Sequence, residues 1–317
     1  MKKNEIRCKA IKSLVSIGSE TLLYRRQYDA LHRYPSILLS ESTPFGYSMT
    51  AEVIDVGDDV KDYKVGDIVY ATVNHAQYFN IEPEPKVLEK KPVDISIDEL
   101  CFNTLIRCSL YAVMKAEVKP GSTVVVLGQG ILGTGCVQFA RILGASKIIV
   151  ADPLKARAER AYKFGATNSY QACGSDIIDI VKELNDGKLA DAVIDATASA
   201  EGLSQACELT RRAGHISLLA DPPNPLNQHI GPSILINYLN VHGIYIRMQA
   251  LDVNAFEPLT VQDIHNRIYS HIRSGELDVK GMITDYVSPA NCKEVYQMLY
   301  DNRDEHLGII YDWSLVK

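Results

Sequence analysis

Three glycines in one short segment are the first candidates for chemistry. Gly128, Gly130 and Gly133 follow the apolar run 123–127 and open a stretch with helical periodicity. In this strand–turn–helix setting the first glycine permits a tight turn, the second lets the backbone approach a pyrophosphate, and the third lets the helix pack closely on the strand. The unpaired N–H groups and positive dipole end of the helix N-terminus then bind phosphates. The predicted dinucleotide site comprises Gly128, Gln129, Gly130, Ile131, Leu132 and Gly133.

An acidic residue further along predicts which dinucleotide binds. Asp152 ends the next predicted strand, about 20 residues after the glycines, where a carboxylate accepts hydrogen bonds from the ribose hydroxyls and repels a 2′-phosphate. This favours NAD over NADP. The alternative reading, that Asp152 only caps the helix beginning at Pro153, is compatible with the same role. Arg157 lies one turn into that helix, within reach of a 2′-phosphate, so NADP stays the less favoured cofactor.

Two later turns complete the predicted cofactor site. Ala196 and Thr197 follow one predicted strand, and Ala220 and Asp221 follow another. Ligands of doubly wound sheets bind beyond the carboxyl ends of the strands, so these residues are expected along the ribose and nicotinamide. Their small side chains also suit any tight turn, which is the alternative explanation.

The helices and strands that must position these residues are predicted from the pattern of apolar and polar residues along the chain. Between residues 120 and 246, apolar β-branched runs alternate with helical periodicity, which is typical of an α/β fold with a doubly wound parallel sheet. Strands are predicted at 123–127, 147–151, 192–196, 215–220 and 240–246, and helices at 132–143, 154–164, 175–185 and 200–213. Before residue 100, short alternating segments such as 50–56 predict a mostly β, partly barrel-like unit. After residue 258, helices at 261–274 and 289–300 and a strand at 308–313 are expected to fold back onto that unit.

Bulk properties exclude several classes of function. The 317 residues exceed the usual limit of about 250 to 300 for one hydrophobic core, which favours two domains. A net charge of -6 gives no basic face for nucleic acid or for an anionic membrane, and no apolar run is long enough to span a bilayer. The charged residues 1–5 lack the pattern of a secretory signal, so a cytoplasmic protein is expected. The seven cysteines include no C-x-x-C pair and predict neither disulfides nor a structural zinc site.

Several motifs together resemble a known superfamily. They are Gly46 followed by Glu52-Val53-Ile54-Asp55-Val56-Gly57, Val65-Gly66-Asp67-Ile68-Val69, Lys119-Pro120-Gly121 with the strand and glycines after it, and Phe164-Gly165-Ala166-Thr167. With them the chain resembles the medium-chain dehydrogenase/reductases, the superfamily of alcohol, sorbitol and threonine dehydrogenases and quinone oxidoreductase. The resemblance implies a GroES-like, mostly β catalytic domain at 1–101, shortened at its N-terminal end, a Rossmann NAD-binding domain at 102–246, and a return to the catalytic domain at 247–317. The segments 15–20, 75–78 and 307–313 are most similar to the bacteriochlorophyllide dehydrogenase-like branch.

The resemblance also indicates where a catalytic zinc would bind. The positions that match its three protein ligands are Ile17, Tyr47 and the neighbourhood of Thr104 and Leu105, so no zinc is expected. Cys101, Cys108 and His75 remain as another combination of ligand types, but their spacing matches no ligand pattern.

Without zinc, another group must stabilise and protonate the developing alkoxide. Tyr47, at a zinc-ligand position, is the candidate acid, and Ser19 matches a hydroxyl that relays protons in the zinc enzymes. Ser109 and Cys108 are expected beside the nicotinamide. The alternatives are that Tyr47 is a packed aromatic residue, Ser19 a turn residue and Ser109 a helix-face residue that only shapes the pocket.

The sequence thus predicts a zinc-independent, NAD(H)-dependent oxidoreductase that interconverts an alcohol and a carbonyl on a small polar biosynthetic intermediate. One alternative is an NAD(P)H-dependent enoyl- or quinone-type C=C reductase, and another is a catalytically degenerate dinucleotide-binding protein. A homodimer is expected, because the strand predicted at 240–246 lies at a sheet edge that needs a partner.

Overall fold

Two β-sheets form the frame of the protein. The computed structural model describes residues 1–27, 44–220, 222, 228, 230–245 and 259–316. In those ranges the strands are β1 (Ile6–Leu14), β2 (Met49–Val56), β3 (Ile68–Ala71), β4 (Tyr78–Ile81), β5 (Leu88–Lys90), β6 (Thr123–Leu127), β7 (Lys147–Asp152), β8 (Asn168–Gln171), β9 (Ala190–Asp195), β10 (Thr210–Leu218), β11 (Asn240–Gly243), β12 (Ile283–Val287) and β13 (Gly308–Asp312). The α-helices are α1 (Ile17–Tyr24), α2 (Ile97–Leu100), α3 (Asn103–Lys115), α4 (Ile131–Ile142), α5 (Lys155–Ala161), α6 (Ile178–Leu184), α7 (Gly202–Leu209), α8 (Ile230–Asn237), α9 (Val261–Arg273) and α10 (Cys292–Asp301).

The first sheet is mostly antiparallel and joins strands from distant parts of the chain. Its order is β12-β13-β1-β2-β3-β5, and β4 also pairs with β1. Along β1 the side chains alternate, with Ile6 and Cys8 buried and Arg7 and Lys9 exposed, as expected for a strand with one face on a core. Strand β13, near the end of the chain, pairs antiparallel with β1 at residues 12–14.

The second sheet is parallel, with the order β11-β10-β9-β6-β7-β8. Its central strand β6 is buried on both faces: Val124 and Val126 belong to one apolar cluster, Val125 and Leu127 to another. Helices therefore cover both sides of the sheet, which is the doubly wound, Rossmann-type arrangement. The strand order reverses between β6 and β9, and this is where such sheets bind ligands. The α/β fold class predicted from the sequence is confirmed.

Most predicted elements are present, but some differ in extent and others, among them strand β8 and helix α3, were not predicted. The helix predicted at 200–213 ends at Leu209, because Thr210 already pairs with Ala190 of the neighbouring strand and the ladder replaces the helix. The strand β12, which the sequence analysis did not predict, lies beside β13 at the edge of the first sheet. Strand β11 ends at Gly243, and residue 246 of the predicted strand lies outside the described residues. No helix in the described ranges combines the length and apolar character needed to cross a membrane.

Candidate functional site

A cleft of about 760 Å³ opens at the carboxyl ends of the parallel strands. One wall is formed by the segments that follow β6, β7, β9 and β10, and the opposite wall by residues 16–19 at the start of α1. The volume falls within the range of roughly 300 to 1,000 Å³ that is typical of small-molecule sites. The predicted cofactor residues that line the cleft are Gly128, Gln129, Gly130, Ile131, Leu132, Asp152, Pro153, Arg157, Ala196, Thr197 and Ala220. Asp221 lies outside the described residues.

The three glycines of the predicted fingerprint meet different steric conditions. Gly128 has a φ of +85°, and a Cβ there would lie 3.0 Å from the carbonyl oxygen of Ala196. At Gly133 a Cβ would lie only 1.8 Å from the Gly128 oxygen, so the first turn of α4 packs directly on the preceding backbone. Around the Cβ position of Gly130 no atom lies within 4 Å, which leaves this part of the backbone open to a ligand.

The N-terminus of α4 points its N–H groups into the cleft region. Gly130 is the residue before the helix and has no side chain to cap it, and the first turn contains no acidic residue. The unpaired N–H groups and positive end of the helix dipole are therefore not neutralised locally. This arrangement fits a pyrophosphate.

Asp152 supports the glycine turn and faces the cleft. The side chain is 3% exposed; one carboxylate oxygen accepts the Gln129 N–H at 2.7 Å and the other accepts the Leu154 N–H at 2.8 Å. A carboxylate has about four lone-pair positions, so oxygen lone pairs remain for ribose hydroxyls. The cap role and the cofactor role considered in the sequence analysis are thus geometrically compatible.

Arg157 lies beside Asp152 and is also buried. Its Nη2 donates to the Arg303 carbonyl at 2.8 Å, while its Nε has no hydrogen-bond partner among the described residues. Burial lowers the pKa of Arg157 from its ordinary value, and the Asp152 charge acts in the opposite direction. The guanidinium is held against the backbone at one end of the cleft.

The turn after β9 is organised by Asp195. Its Oδ1 accepts the backbone N–H of Thr197 at 3.0 Å and the Thr197 hydroxyl at 2.7 Å. Burial raises the pKa of Asp195. The hydrogen bonds hold Ala196 and Thr197 at the cleft wall.

Hydroxyl groups cluster on the opposite wall, at the start of α1. Ser16 and Ser19 line the cleft, and the Ser16 Oγ forms a short hydrogen bond with the Tyr47 phenol, which lies behind it. Burial raises the pKa of Tyr47 well above its ordinary value; hydrogen bonds from Ser16 and Ser19 act in the opposite direction. The phenol therefore stays protonated at neutral pH.

Ser109 and Cys108 lie on α3 and do not line the cleft. The Ser109 hydroxyl donates to the carbonyls of Leu105 at 3.2 Å and Leu132 at 2.9 Å, which joins α3 to α4. Burial raises the pKa of the Cys108 thiol to about 12, so the thiol is neutral. Both residues pack behind the residues that line the cleft and do not themselves border it.

The positions that match zinc ligands do come together beside the cleft. Ile17 and Leu105 line it, and the Thr104 hydroxyl donates to the Tyr47 carbonyl at 3.1 Å. Zinc in proteins is bound by cysteine, histidine and carboxylate side chains, whereas isoleucine and leucine offer no donor atom. The residues at these positions do not fit zinc. Nor do Cys101, Cys108 and His75 group as ligands: no cluster of three or more His, Cys, Asp or Glu suited to a metal occurs in the part of the chain that the structure describes.

Sequence reasoning missed several residues of the cleft. Ser16 lies in the segment 15–20 that carries part of the resemblance, but only its contact with Tyr47 marks it as a candidate site residue. Arg303 and His306 come from the loop before β13, far along the chain, and no motif marks them. The signal for Ser16 was its place four residues before Glu20, a spacing at which a carboxylate reaches back to the backbone at the start of a helix.

Comparisons with known proteins agree with this geometry. A family model described as zinc-binding dehydrogenase matches residues 132–261. D-guloside 3-dehydrogenase of Shigella flexneri is 27% identical over 263 residues, which cover 82% of this chain and 74% of that protein. Sorbitol dehydrogenase of Bacillus subtilis (strain 168) is 23% identical over 297 residues, which cover 84% of this chain and 79% of that protein. The chain is thus similar to zinc-type dehydrogenases in its middle segment and, at lower identity, over more than four fifths of its length.

The fold of a solved dehydrogenase matches the whole chain. Zinc dependent alcohol dehydrogenase 2 from Streptococcus pneumonia, in its apo form, has a TM-score of 0.82 at 18% identity, and the match covers 100% of this chain and 93% of that one. This match shows that the two chains share a fold, and the two relatives named above are dehydrogenases.

Proposed function

We propose that this chain is a zinc-independent, NAD(H)-dependent oxidoreductase that interconverts an alcohol and a carbonyl on a small polar biosynthetic intermediate. The observation on which the proposal depends is the Ser16–Tyr47 hydroxyl pair, which stands beside the cofactor cleft where zinc enzymes of the superfamily are expected to bind their metal. The relatives named D-guloside 3-dehydrogenase and sorbitol dehydrogenase support a substrate rich in hydroxyl groups. The nearness to the bacteriochlorophyllide dehydrogenase-like branch, the domain limits at 101 and 246 and the cytoplasmic location stay predictions.

The cofactor proposal follows from the cleft. Gly130 and the N-terminus of α4 would hold the pyrophosphate, and Asp152 would accept the ribose hydroxyls. The Asp152 charge favours NAD, because a 2′-phosphate would lie against a buried carboxylate. When bound, NADH supplies the hydride that reduces the carbonyl carbon.

The chain's own residues then handle the proton. The Tyr47 phenol is protonated at neutral pH, since even an ordinary tyrosine has a pKa of about 10 and burial raises the pKa of this one. A developing alkoxide is more basic than a phenolate, so the phenol can donate its proton to it. The Ser16 and Ser19 hydroxyls lie between the phenol and the cleft and can pass that proton on and return another from water. A fixed hydroxyl also stabilises the negative oxygen as it forms.

The test combines a labelled cofactor with a single substitution. The purified protein is incubated with NADH deuterated at C4 and a panel of polyol-derived ketones, and the product is analysed by mass spectrometry and NMR. We expect deuterium on the carbinol carbon, activity that survives dialysis against a chelator, and tighter binding of NADH than of NADPH. Tyr47→Phe should lower turnover by about 100-fold or more, since general acid catalysis contributes roughly 10²- to 10⁴-fold, and leave NADH affinity unchanged.

Other outcomes would replace the proposal. Deuterium at the β-carbon of a conjugated substrate would indicate the C=C reductase, in which the hydride goes to the β-carbon and the proton to the α-carbon. Tight NADH binding without oxidation of the cofactor would indicate a degenerate dinucleotide-binding protein. Unchanged turnover of Tyr47→Phe would remove Tyr47 from the mechanism.

A homodimer is part of the proposal. Strand β11 is an edge strand of the parallel sheet, and α8, which precedes it, has no buried residue in the single chain. Leu235 and Ile236 on this helix are 77% and 68% exposed. An exposed apolar helix beside an unpaired strand edge is suited to a second copy of the chain.

A further inference from the structure

Glu20 is the centre of a buried polar cluster behind the hydroxyl groups of the cleft. The residue is 1% exposed. Its Oε1 accepts the backbone N–H of Ser16 at 2.8 Å, and its Oε2 accepts the Tyr296 hydroxyl at 2.6 Å and is 3.2 Å from His75 Nε2. A buried carboxylate is costly unless such donors surround it, so the three contacts fix its position.

His75 is fixed from both sides of its ring. Nε2 faces Glu20, and Nδ1 lies 2.8 Å from the Ser13 hydroxyl, which also accepts the Trp313 Nε1–H at 3.0 Å. A hydroxyl can donate to a neutral imidazole or accept from a charged one. The ring therefore keeps its orientation in either protonation state.

Each member of this pair holds one partner of the Ser16–Tyr47 hydrogen bond. Glu20 binds the backbone of Ser16. The His75 segment holds the other side: its backbone N–H donates to the Phe45 carbonyl at 2.6 Å, and its ring packs on Gly46 so closely that a Cβ there would lie 2.6 Å from Cδ2. Gly46 has a φ of +88°, and Tyr47 follows it directly.

We propose that the buried Glu20–His75 pair positions the Ser16 and Tyr47 hydroxyls for proton transfer, and that Ser16 is the group through which Tyr47 reaches the cleft. This inference rests on the proposed function, in which Tyr47 is the acid. Glu20 and His75 do not line the cleft, so they act through the two hydroxyls as positioning residues. A displacement of about 1 Å in such groups lowers a rate by up to roughly 100-fold.

The experiment measures the position of Tyr47 apart from its activity. 3-Fluorotyrosine is placed at position 47 of the full chain, and its ¹⁹F resonance is compared in the unsubstituted protein, Glu20→Gln and His75→Gln. The same proteins without the label give kcat, KM and NADH affinity. Glu276→Gln is the matched control, because it makes the same change in an exposed glutamate that lies 2.9 Å from His271.

We expect both variants to shift the ¹⁹F resonance and to lower kcat by about 10-fold or more. Their NADH affinity should change by less than about twofold. The control variant should change none of these quantities. Adding Glu20→Gln to Tyr47→Phe should lower kcat no further, because Glu20 acts through the Tyr47 hydroxyl that is already absent. An unchanged resonance in the folded variants would overturn the proposal. An equal loss of kcat from Glu20→Gln in the unsubstituted protein and in Tyr47→Phe would also overturn it. If neither variant folds, the pair is a general stabilising element and the proposal fails. Unchanged turnover of Tyr47→Phe would reject Tyr47 as the acid and with it the step that the pair serves, whereas a loss of turnover in Tyr47→Phe with an unchanged resonance in Glu20→Gln and His75→Gln would reject the role of the pair alone.

Discussion

At the scale of single residues, two glycines of the same turn face opposite constraints. Gly133 is pressed against the backbone of Gly128, so a methyl group has no room there. Gly130 borders open space, so a methyl group meets only what binds in the cleft. A substitution at Gly133 therefore tests the fold, and a substitution at Gly130 tests ligand binding.

The pair gives a matched prediction. Gly133→Ala should lower the free energy of unfolding by several kcal/mol, since a Cβ 1.8 Å from a carbonyl oxygen forces α4 away from β6. Gly130→Ala should leave stability within about 1 kcal/mol of the unsubstituted protein but weaken NADH binding by about 10-fold or more. Urea denaturation and NADH fluorescence titration measure the two effects. If Gly133→Ala weakened NADH binding as much as Gly130→Ala and left the free energy of unfolding unchanged, the assignment of Gly133 to the fold and Gly130 to the ligand would be wrong.

At the scale of elements, the edge formed by β11 and α8 differs from the rest of the surface. Tyr238, Val241 and Tyr245 are 65%, 36% and 51% exposed and continue the apolar surface of Leu235 and Ile236. Parallel sheets are normally covered on their faces, and among the residues that the structure describes no strand follows β11 along the strand order. A second copy would pair or cover that edge.

A charge on this surface should therefore separate the dimer. Leu235→Glu is expected to convert a dimer into a monomer in sedimentation velocity, because a carboxylate would be buried without a partner at the interface. Val93→Glu is the control, since Val93 is 98% exposed and lies outside the patch. A protein that is monomeric before the substitution, or a dimer that survives it, would reject this interface.

At the scale of the whole molecule, a second buried polar cluster ties the two sheets together. His265 of α9 lies 2.6 Å through Nδ1 from Glu89 of β5, and its Nε2 lies 3.2 Å from Nη1 of Arg107 on α3. A guanidinium can only donate, so Nε2 must accept and the proton of the neutral ring lies on Nδ1. Burial lowers the pKa of His265, the Arg107 charge acts in the same direction, and together they outweigh the opposing effect of Glu89.

This cluster predicts how stability depends on pH. His265 has a lower pKa in the folded protein than the ordinary value of 6.5, so the unfolded chain binds the proton first. The stabilisation is complete above pH 6.5 and is lost as the pH falls toward the folded-state pKa, by at most about 1.4 kcal/mol per pH unit. In urea titrations from pH 7.5 to 5.0, His265→Gln should have a flatter dependence, since glutamine can contact the same partners without titrating. Parallel curves for the two proteins would show that His265 does not titrate on unfolding.

The parts of this architecture that the sequence predicted are those with local causes. The apolar run from Val124 to Leu127 and the three glycines after it specify strand, turn and helix within a few residues, so this edge of the cleft could be predicted from the sequence. The Ser16–Tyr47 contact and the Glu20–His75 pair join segments that only the sheet pairings bring together. The helix predicted at 200–213 ended early for the same reason, because a strand neighbour outweighed local propensity at Thr210.

The pairing of β1 with β13 also determines the order in which the two sheets can form during synthesis of the chain. During synthesis the strands of the parallel sheet emerge as one uninterrupted block, from residue 123 to residue 243, and can assemble as soon as they leave the ribosome. Strand β1 is synthesised first, yet residues 12–14 cannot pair with β13 until residues 308–312 have been synthesised. The nascent chain therefore exposes an unpaired strand edge for most of its translation, and that interval is when a chaperone would have the most to protect.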